Sequence, residues 1–211
     1  MRLCSAPASP FGRVVKIAAH VLGVMDQITV VPTETTDPDD PVRKLNPLGK
    51  IPVLIAGDQA LYDSRVILEY LDHHAGGGKI IPADPARRFD VLTRNARING
   101  ILDAAILVVY ESRFRPEEMR LESFVEYQRD KIRRSLDAVA KDTPAYANGA
   151  MPDIAEMGLA CVLDYLDFRK QLNWRDHCPE MEKWITAFAA ATPGYHDTLP
   201  PEIDMAPWRK R

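Results

Sequence analysis

A serine and a proline stand where the sequence predicts its first helix to begin. Ser9-Pro10 precedes an amphipathic run that extends to Leu22, and Gly23 follows. Serine is a preferred N-cap and proline is tolerated at the first helical position, so the pair is typical of a helix start. The free N–H groups and the positive end of the helix dipole meet at such a start and favour an anion. The first question that the sequence raises is therefore which anion binds beside the Ser9 hydroxyl.

A second segment combines a tight turn with a proline inside an apolar strand. Residues 46–50 form the turn, and Ile51-Pro52 leads into Val53 to Ile55. Proline removes a hydrogen-bond donor from the sheet, so it fits only at an edge, a strand start or a bulge. A cis Ile51–Pro52 bond in a tight turn resolves this conflict at low cost. In that arrangement the backbone N–H and C=O of Ile51 are exposed to pair with an extended peptide.

The order of the remaining elements separates the chain into two parts. The first part predicts strand, helix, strand, loop, two hairpin strands and a helix, with strands at 1–4, 27–31, 53–55 and 60–62 and helices at 10–22 and from 63 onward. A linker rich in glycine and proline follows at 76–85, and beyond it only helical patterns occur. We therefore predict an α+β domain over residues 1–77 and an all-helical domain over 84–211.

Local signals also mark two helices of the second part. Asp153 and Glu156 form a capping box before a segment that is apolar on most faces, which predicts a buried central helix. Pro179 is predicted to open a last amphipathic helix that contains Trp184.

Composition excludes several classes of function. The 211 residues carry a net charge of −3 and no long basic run, so neither nucleic acid nor an anionic membrane is expected as a partner. No apolar run approaches the roughly 20 residues of a membrane span, and the N-terminus is too polar for a signal peptide, which predicts a soluble cytoplasmic protein. Cys4, Cys161 and Cys178 lie far apart and are expected to be buried thiols. No metal site is predicted, because neither the cysteines nor the histidines have ligand spacing.

Five segments, taken in their order along the chain, resemble the cytosolic glutathione transferase family. They are Ser9-Pro10-Phe11, the run from Asn46 to Pro52, Asp63-Ser64, the capping box at Asp153, and Pro179 to Trp184. Two finer patterns, Asp164 to Arg169 and Leu199-Pro200-Pro201, are similar to the bacterial YibF-like branch of that family. The resemblance implies a thioredoxin-like N-terminal domain (βαβ-ββα), an all-helical C-terminal domain and a homodimer with the active site near its interface.

The resemblance implies glutathione as co-substrate and gives Ser9 a catalytic role. Thioredoxin-like relatives carry cysteines where this chain has Ser9 and Gly12, and a serine cannot form the mixed disulfide of thiol exchange. A hydrogen bond from the Ser9 hydroxyl to the glutathione sulfur would instead favour the thiolate. The alternative is that Ser9 is a plain N-cap.

The same resemblance assigns residues to the other parts of glutathione. Ile51 and Pro52 would hold its cysteinyl unit, Lys50 its glycine carboxylate, and Asp63 and Ser64 its γ-glutamyl ammonium and carboxylate. Phe11 is counted with this set as part of the first motif. The plainer interpretations are a turn-shaping proline, a solvated lysine and a helix cap.

The second substrate is expected to contact the helical part. Tyr110, Arg113 and Phe114 are the candidates by family analogy, although aromatic residues at helical spacing are more often part of the core. Arg13, one turn beyond Ser9, is expected at the surface, with tuning of the site's electrostatic potential as the alternative.

The predicted function is conjugation of glutathione to a small hydrophobic electrophile. A glutathione-dependent peroxidase, dehalogenase or isomerase and a non-catalytic binding or regulatory protein are the alternatives.

Overall fold

A four-stranded mixed sheet forms the centre of the first part of the chain. The computed structural model describes residues 1–143, 145–146 and 149–200, so Pro201 and the rest of the predicted helical domain beyond it lie outside the described residues. The strands are β1 (Arg2–Ser5), β2 (Thr29–Pro32), β3 (Val53–Ala56) and β4 (Gln59–Leu61), in the spatial order β2-β1-β3-β4. β1 runs parallel to β2 and antiparallel to β3, and β3 and β4 form the predicted hairpin.

Three helices accompany this sheet: α1 (Pro10–Val21), α2 (Val42–Leu45) and α3 (Ser64–His74). α1 begins as predicted, with Ser9 as N-cap and Pro10 in the first turn. It ends before Gly23, whose φ of +69° is a left-handed conformation that favours glycine. The Ile51–Pro52 peptide bond is cis, which confirms the prediction made for this turn.

The second part consists of four long helices. They are α4 (Pro85–Phe114), α5 (Glu122–Asp142), α6 (Ile154–Arg169) and α7 (Met181–Ala191). The capping box of α6 is present, since the Asp153 carboxylate accepts from the N–H groups of Ala155 and Glu156, both at 2.9 Å. The prediction for α7 was wrong by two residues: Pro179 precedes its N-cap, Glu180, and the helix begins at Met181.

α6 is the central helix of this bundle, as predicted. Every residue from Met157 to Leu166 is buried. Its contact with α4 is close at Gly158, where a Cβ atom would lie 2.8 Å from Cγ2 of Ile98. α6 also packs against α1, so one hydrophobic core extends through both parts of the chain.

The predicted architecture is therefore confirmed: a thioredoxin-like sheet with helices is followed by a helical bundle. The exact limits of the two domains, 1–77 and 84–211, stay a prediction. None of the helices in the described part of the chain is both long and apolar enough to cross a membrane.

Candidate functional site

Ser9 lies between β1 and α1 and is partly exposed. Its Oγ accepts a hydrogen bond from the backbone N–H of Gly12 at 3.1 Å, so it caps α1. A hydroxyl has one proton to donate and two positions to accept, and the cap uses only one accepting position. Within the described residues the Ser9 hydroxyl donates to no other group. Capping the helix and donating to a bound sulfur are thus compatible.

A cleft of about 200 Å³, measured with the open space at its mouth, lies beside Ser9. One wall comes from the start of α1 and the other from α6, with Pro200 at the rim; its lining residues are Ala8, Ser9, Pro10, Arg13, Cys161, Asp164, Tyr165 and Pro200. The contact between α1 and α6 therefore positions residues of the helical part directly beside the serine.

Arg13 was expected at the surface, and that expectation was wrong: the residue is 2% exposed. Its Nη1 donates to Oδ2 of Asp164 at 2.6 Å, and its guanidinium carbon lies 4.8 Å from the ring centre of Tyr195. The Tyr195 hydroxyl also donates to Asp164, at 2.7 Å. A buried arginine requires such partners, and they lie more than 150 residues away in sequence.

The turn before the cis proline is held by Asn46, which is 2% exposed. Its side-chain amide donates to the carbonyl of Lys50 at 2.9 Å, and its side-chain oxygen accepts from the N–H of Leu48 at 3.0 Å. Lys50 itself is exposed. Neither the N–H nor the C=O of Ile51 makes a backbone hydrogen bond in the described residues. The turn therefore leaves the Ile51 backbone available to an extended peptide.

Asp63 and Ser64 begin α3. Asp63 caps the helix by accepting from the N–H of Arg65 at 3.0 Å, and it also pairs with the Arg65 guanidinium at 2.7 Å. The side-chain hydrogen bond from Arg65 is the main reason why the pKa of the Asp63 carboxyl lies below its ordinary value. Ser64 is 4% exposed, and its hydroxyl makes no hydrogen bond to a described residue.

Asp103, on α4, is a site candidate that the sequence reasoning missed. Burial raises the pKa of its carboxyl, the charges of Lys50 and Arg65 act to lower it, and Asp63 acts to raise it. Asp103 thus lies close enough to sense the charges at both predicted ends of the glutathione site. In the sequence it is one acidic residue among many on a long helix, and no local signal distinguishes it.

The candidates for the second-substrate pocket lie at the end of α4 and are not core residues. Tyr110 and Phe114 are 37% and 63% exposed and meet edge to face with ring centres 5.1 Å apart. Tyr165, which lines the cleft beside Ser9, is close enough to these residues to sense the charge of Arg113. Burial raises the pKa of Tyr165, whereas Arg169 and Arg113 act to lower it.

The cysteines are buried free thiols, as predicted. Burial raises the pKa of Cys178 to about 12, so this thiol stays protonated near neutral pH. The described residues contain no group of three or more acidic, histidine or cysteine side chains that could hold a metal ion.

A larger cleft of about 280 Å³, counted in the same way, lies away from Ser9 between α4, α5 and α6. Its charged groups already have partners, since Arg97 pairs with Asp142 and Arg94 with Asp153. We therefore place the candidate site at the smaller cleft, where the Ser9 hydroxyl has a proton to offer.

The structure joins a thioredoxin-like domain, whose first helix begins at a serine, to a helical bundle that lines the same cleft. This combination defines the class of glutathione transferase-like proteins. The chain belongs to the glutathione S-transferase family. Residues 3–79 match the model of the family's N-terminal domain, and residues 87–187 match the model of its C-terminal domain.

Relatives of known sequence and structure agree with this assignment. The uncharacterized GST-like protein YibF of Escherichia coli K12 is 31% identical over 192 residues, which are 88% of this chain and 92% of YibF. A Pseudomonas fluorescens Pf-5 family member, solved with bound glutathione, is 38% identical with a TM-score of 0.86 over 95% of this chain and 98% of its own. The same protein was also solved with S-(propanoic acid)-glutathione. The predicted resemblance to the YibF-like branch is confirmed.

Proposed function

We propose that this protein is a glutathione transferase in which the Ser9 hydroxyl stabilises the thiolate of bound glutathione for attack on an electrophile. The observation that carries the proposal is the Ser9 geometry. Its Oγ accepts from Gly12 at 3.1 Å, which leaves the hydroxyl proton available beside the cleft. Solved relatives 38% and 35% identical to this chain hold glutathione, which supports the choice of thiol.

The other groups of the site suit the remaining parts of glutathione. The Ile51 backbone would pair with the cysteinyl unit in the manner of an added strand. Lys50 would meet the glycine carboxylate. The Ser64 hydroxyl and the start of α3 would bind the γ-glutamyl carboxylate. Asp63 would bind the ammonium while it remains paired with Arg65.

The energies required are of the size that these groups supply. A free thiol has a pKa near ~8.5, and lowering it by about two units costs roughly 2.7 kcal/mol. A hydrogen bond to a charged acceptor contributes roughly 1.5–3 kcal/mol, and a helix start adds roughly 0.3–1 kcal/mol. Ser9 and α1 together therefore suffice without a general base.

Replacing Ser9 with alanine tests this role. We expect the pKa of bound glutathione's thiol to rise by about 1–2 units in Ser9→Ala, because one charge-assisted hydrogen bond is lost. The ultraviolet absorbance of the bound thiolate, followed through a pH titration, measures this pKa. Turnover of an aryl halide near neutral pH should fall in parallel.

The matched control is Asp84→Ala. Asp84 caps α4 by accepting from the N–H of Arg87 at 3.0 Å, so this variant also loses a helix cap. Each loss of a cap costs about 1 kcal/mol of stability, but Asp84→Ala should leave the thiolate signal unchanged. An unchanged thiol pKa in Ser9→Ala would show that Ser9 is only a cap.

If the wild type binds glutathione but turns over no aryl halide, peroxide or epoxide, a binding protein is the better description.

We also propose that the chain forms a two-fold homodimer, as family membership implies. The exposed apolar side chains Val66 on α3 and Phe89 on α4 support this proposal, since they are 47% and 68% exposed.

A further inference from the structure

Five residues at the end of α4 and on the last turns of α6 form what we call the arginine–aromatic cluster: Tyr110, Arg113, Tyr165, Phe168 and Arg169. The Arg169 guanidinium lies 4.4 Å from the ring centre of Phe168 and 5.4 Å from that of Tyr165. The Arg113 guanidinium lies 5.7 Å from the ring centre of Tyr110. Tyr165 lines the cleft beside Ser9, so the cluster borders the place where an electrophile would approach the sulfur.

The positive charges of Arg113 and Arg169 remain available to a ligand. Arg115 and Arg175, which are close to them in sequence, pair with Glu111 and Asp167. In the part of the chain that the structure describes, neither Arg113 nor Arg169 has an ion-pair partner, and Nε of Arg169 is buried without a hydrogen bond.

Glu34 is one acidic group that senses the charge of Arg113. Its carboxylate accepts hydrogen bonds from the backbone and side chain of Thr36, and these bonds lower its pKa more than the charge of Arg113 does. The acidic residue next to Phe168 is Asp167, which is bound to Arg175 through both carboxylate oxygens. Neither carboxylate neutralises the cluster by direct contact.

A planar guanidinium stacked on an aromatic ring keeps its N–H groups at the edge, where they fit a carboxylate or sulfonate in pairs. Aromatic rings beside such donors suit a flat, apolar body. We propose that the second substrate carries an anionic group on an aromatic electrophile, and that Arg113 and Arg169 bind that anion. This inference rests on the proposed transferase function and names its substrate class.

The corresponding reaction is an aromatic substitution. The glutathione thiolate attacks the ring carbon that bears chlorine, a C–S bond forms, and the C–Cl bond breaks as chloride leaves with the electron pair. The thiol proton passes to solvent. No oxidant or further reactant is needed.

A matched pair of electrophiles tests the proposal: a chlorodinitrobenzoate, which is anionic, and the corresponding chlorodinitrobenzamide, which is neutral. We expect kcat/KM of the wild type, divided by the uncatalysed rate with glutathione, to favour the benzoate by about tenfold or more, the effect of one charged contact. Arg113→Gln and Arg169→Gln should remove most of this preference through KM, because kcat/KM should fall about tenfold more for the benzoate than for the benzamide.

Arg87→Gln, a change of an exposed arginine at the opposite end of α4, is the control and should keep the preference. The far-ultraviolet circular dichroism spectrum and the urea midpoint of each cluster variant show whether it is folded. Equal wild-type kcat/KM values for the two electrophiles, each divided by its uncatalysed rate, or an equal loss on both in the variants, would overturn the proposal and leave the transferase function intact.

Binding of the two glutathione conjugates, measured by calorimetry, separates this inference from the proposed function. The conjugate of the benzoate should bind about tenfold more tightly than that of the benzamide, and the arginine variants should lose the difference. Tight binding of the benzoate conjugate without turnover of either electrophile supports the anion site and refutes the transferase. Equal affinity for both conjugates refutes the anion site.

Discussion

The Ser9 hydroxyl caps α1 and, in the proposed function, also donates to the glutathione sulfur. Its oxygen accepts from the N–H of Gly12, and its proton is left for another acceptor. A cysteine thiol at this position would be a nucleophile in its own right, whereas the proposed function asks the serine hydroxyl only for a hydrogen bond to the thiol of the ligand. Under that proposal the residue type changes the chemistry of the site from thiol exchange to thiol activation.

Gly12, in the first turn of α1, has no room for a side chain. A Cβ atom there would lie 2.1 Å from Oγ of Ser5, which is buried and has no hydrogen-bond partner in the described structure. We expect Gly12→Ala to lower the free energy of unfolding by about 1–3 kcal/mol, the usual cost of overpacking. Ser5→Ala in the same chain should restore part of that loss because it removes the clashing oxygen. Urea unfolding of the two single variants and the double variant measures the coupling.

Gly100 provides the control for this comparison. It also lies in a helix, but a Cβ there has no atom within 4 Å. Gly100→Ala should stabilise the protein by about 0.5–1 kcal/mol, because alanine is the better helix former. If Gly12→Ala unfolds at the same urea concentration as Gly100→Ala, the contact with Ser5 does not restrict this position.

At the scale of elements, the contact between α1 and α6 joins the two parts of the chain through a buried ion pair. Arg13 and Asp164 are 3% and 1% exposed in their side chains. Removing one member of a buried pair leaves the other charge uncompensated, so we expect Arg13→Met to cost about 3–5 kcal/mol of unfolding free energy. Adding Asp164→Asn should recover part of this, since the amide is neutral and still offers an oxygen to the Tyr195 hydroxyl.

Denaturant unfolding of Arg13→Met and of the double variant measures these two values. Arg129→Met is the matched control, because Arg129 pairs with Glu122 at the surface and exposed pairs contribute at most about 1 kcal/mol. A loss in Arg13→Met no larger than that in Arg129→Met would contradict the role given to the buried pair.

These elements also show how far the sequence predicts the structure. The Ser9 cap, the capping box at Asp153 and Glu156, and the cis bond before Pro52 were predictable because each depends on residues at most three positions apart. The family motifs then predicted the fold. The burial of Arg13 was not predictable in this way, because it depends on partners brought close only by tertiary packing.

The same dependence on tertiary packing explains why only some of the candidate site residues were predicted from the sequence. Residues inside the family's motifs were identified from the sequence, whereas Asp103 and Arg169 belong to long helices in which charged residues are common. Asp103 comes close to Lys50 and Arg65 only through tertiary packing, and a single sequence does not determine that packing.

At the scale of the whole molecule, the exposed face near the start of α4 indicates how two copies would meet. Phe89 is 68% exposed, and further along the helix the exposed residue Ala96 is small. An ion pair between Arg88 and Glu69 joins this end of α4 to α3, where Val66 is also exposed. Small residues beside exposed apolar anchors let two helices approach closely and bury apolar surface.

We therefore expect the wild type to sediment at twice the mass of its 211-residue chain. Phe89→Glu should shift the protein toward the monomer, because a charge would be buried at the interface. Met119→Glu is the control: Met119 is 62% exposed but follows the far end of α4, so this variant should remain dimeric. Sedimentation equilibrium of the three proteins decides the matter. A monomeric wild type would refute the dimer, and a dimer that persists in Phe89→Glu would place the interface on another face. Glutathione binding measured on the Phe89→Glu monomer shows in addition whether one copy suffices for the site.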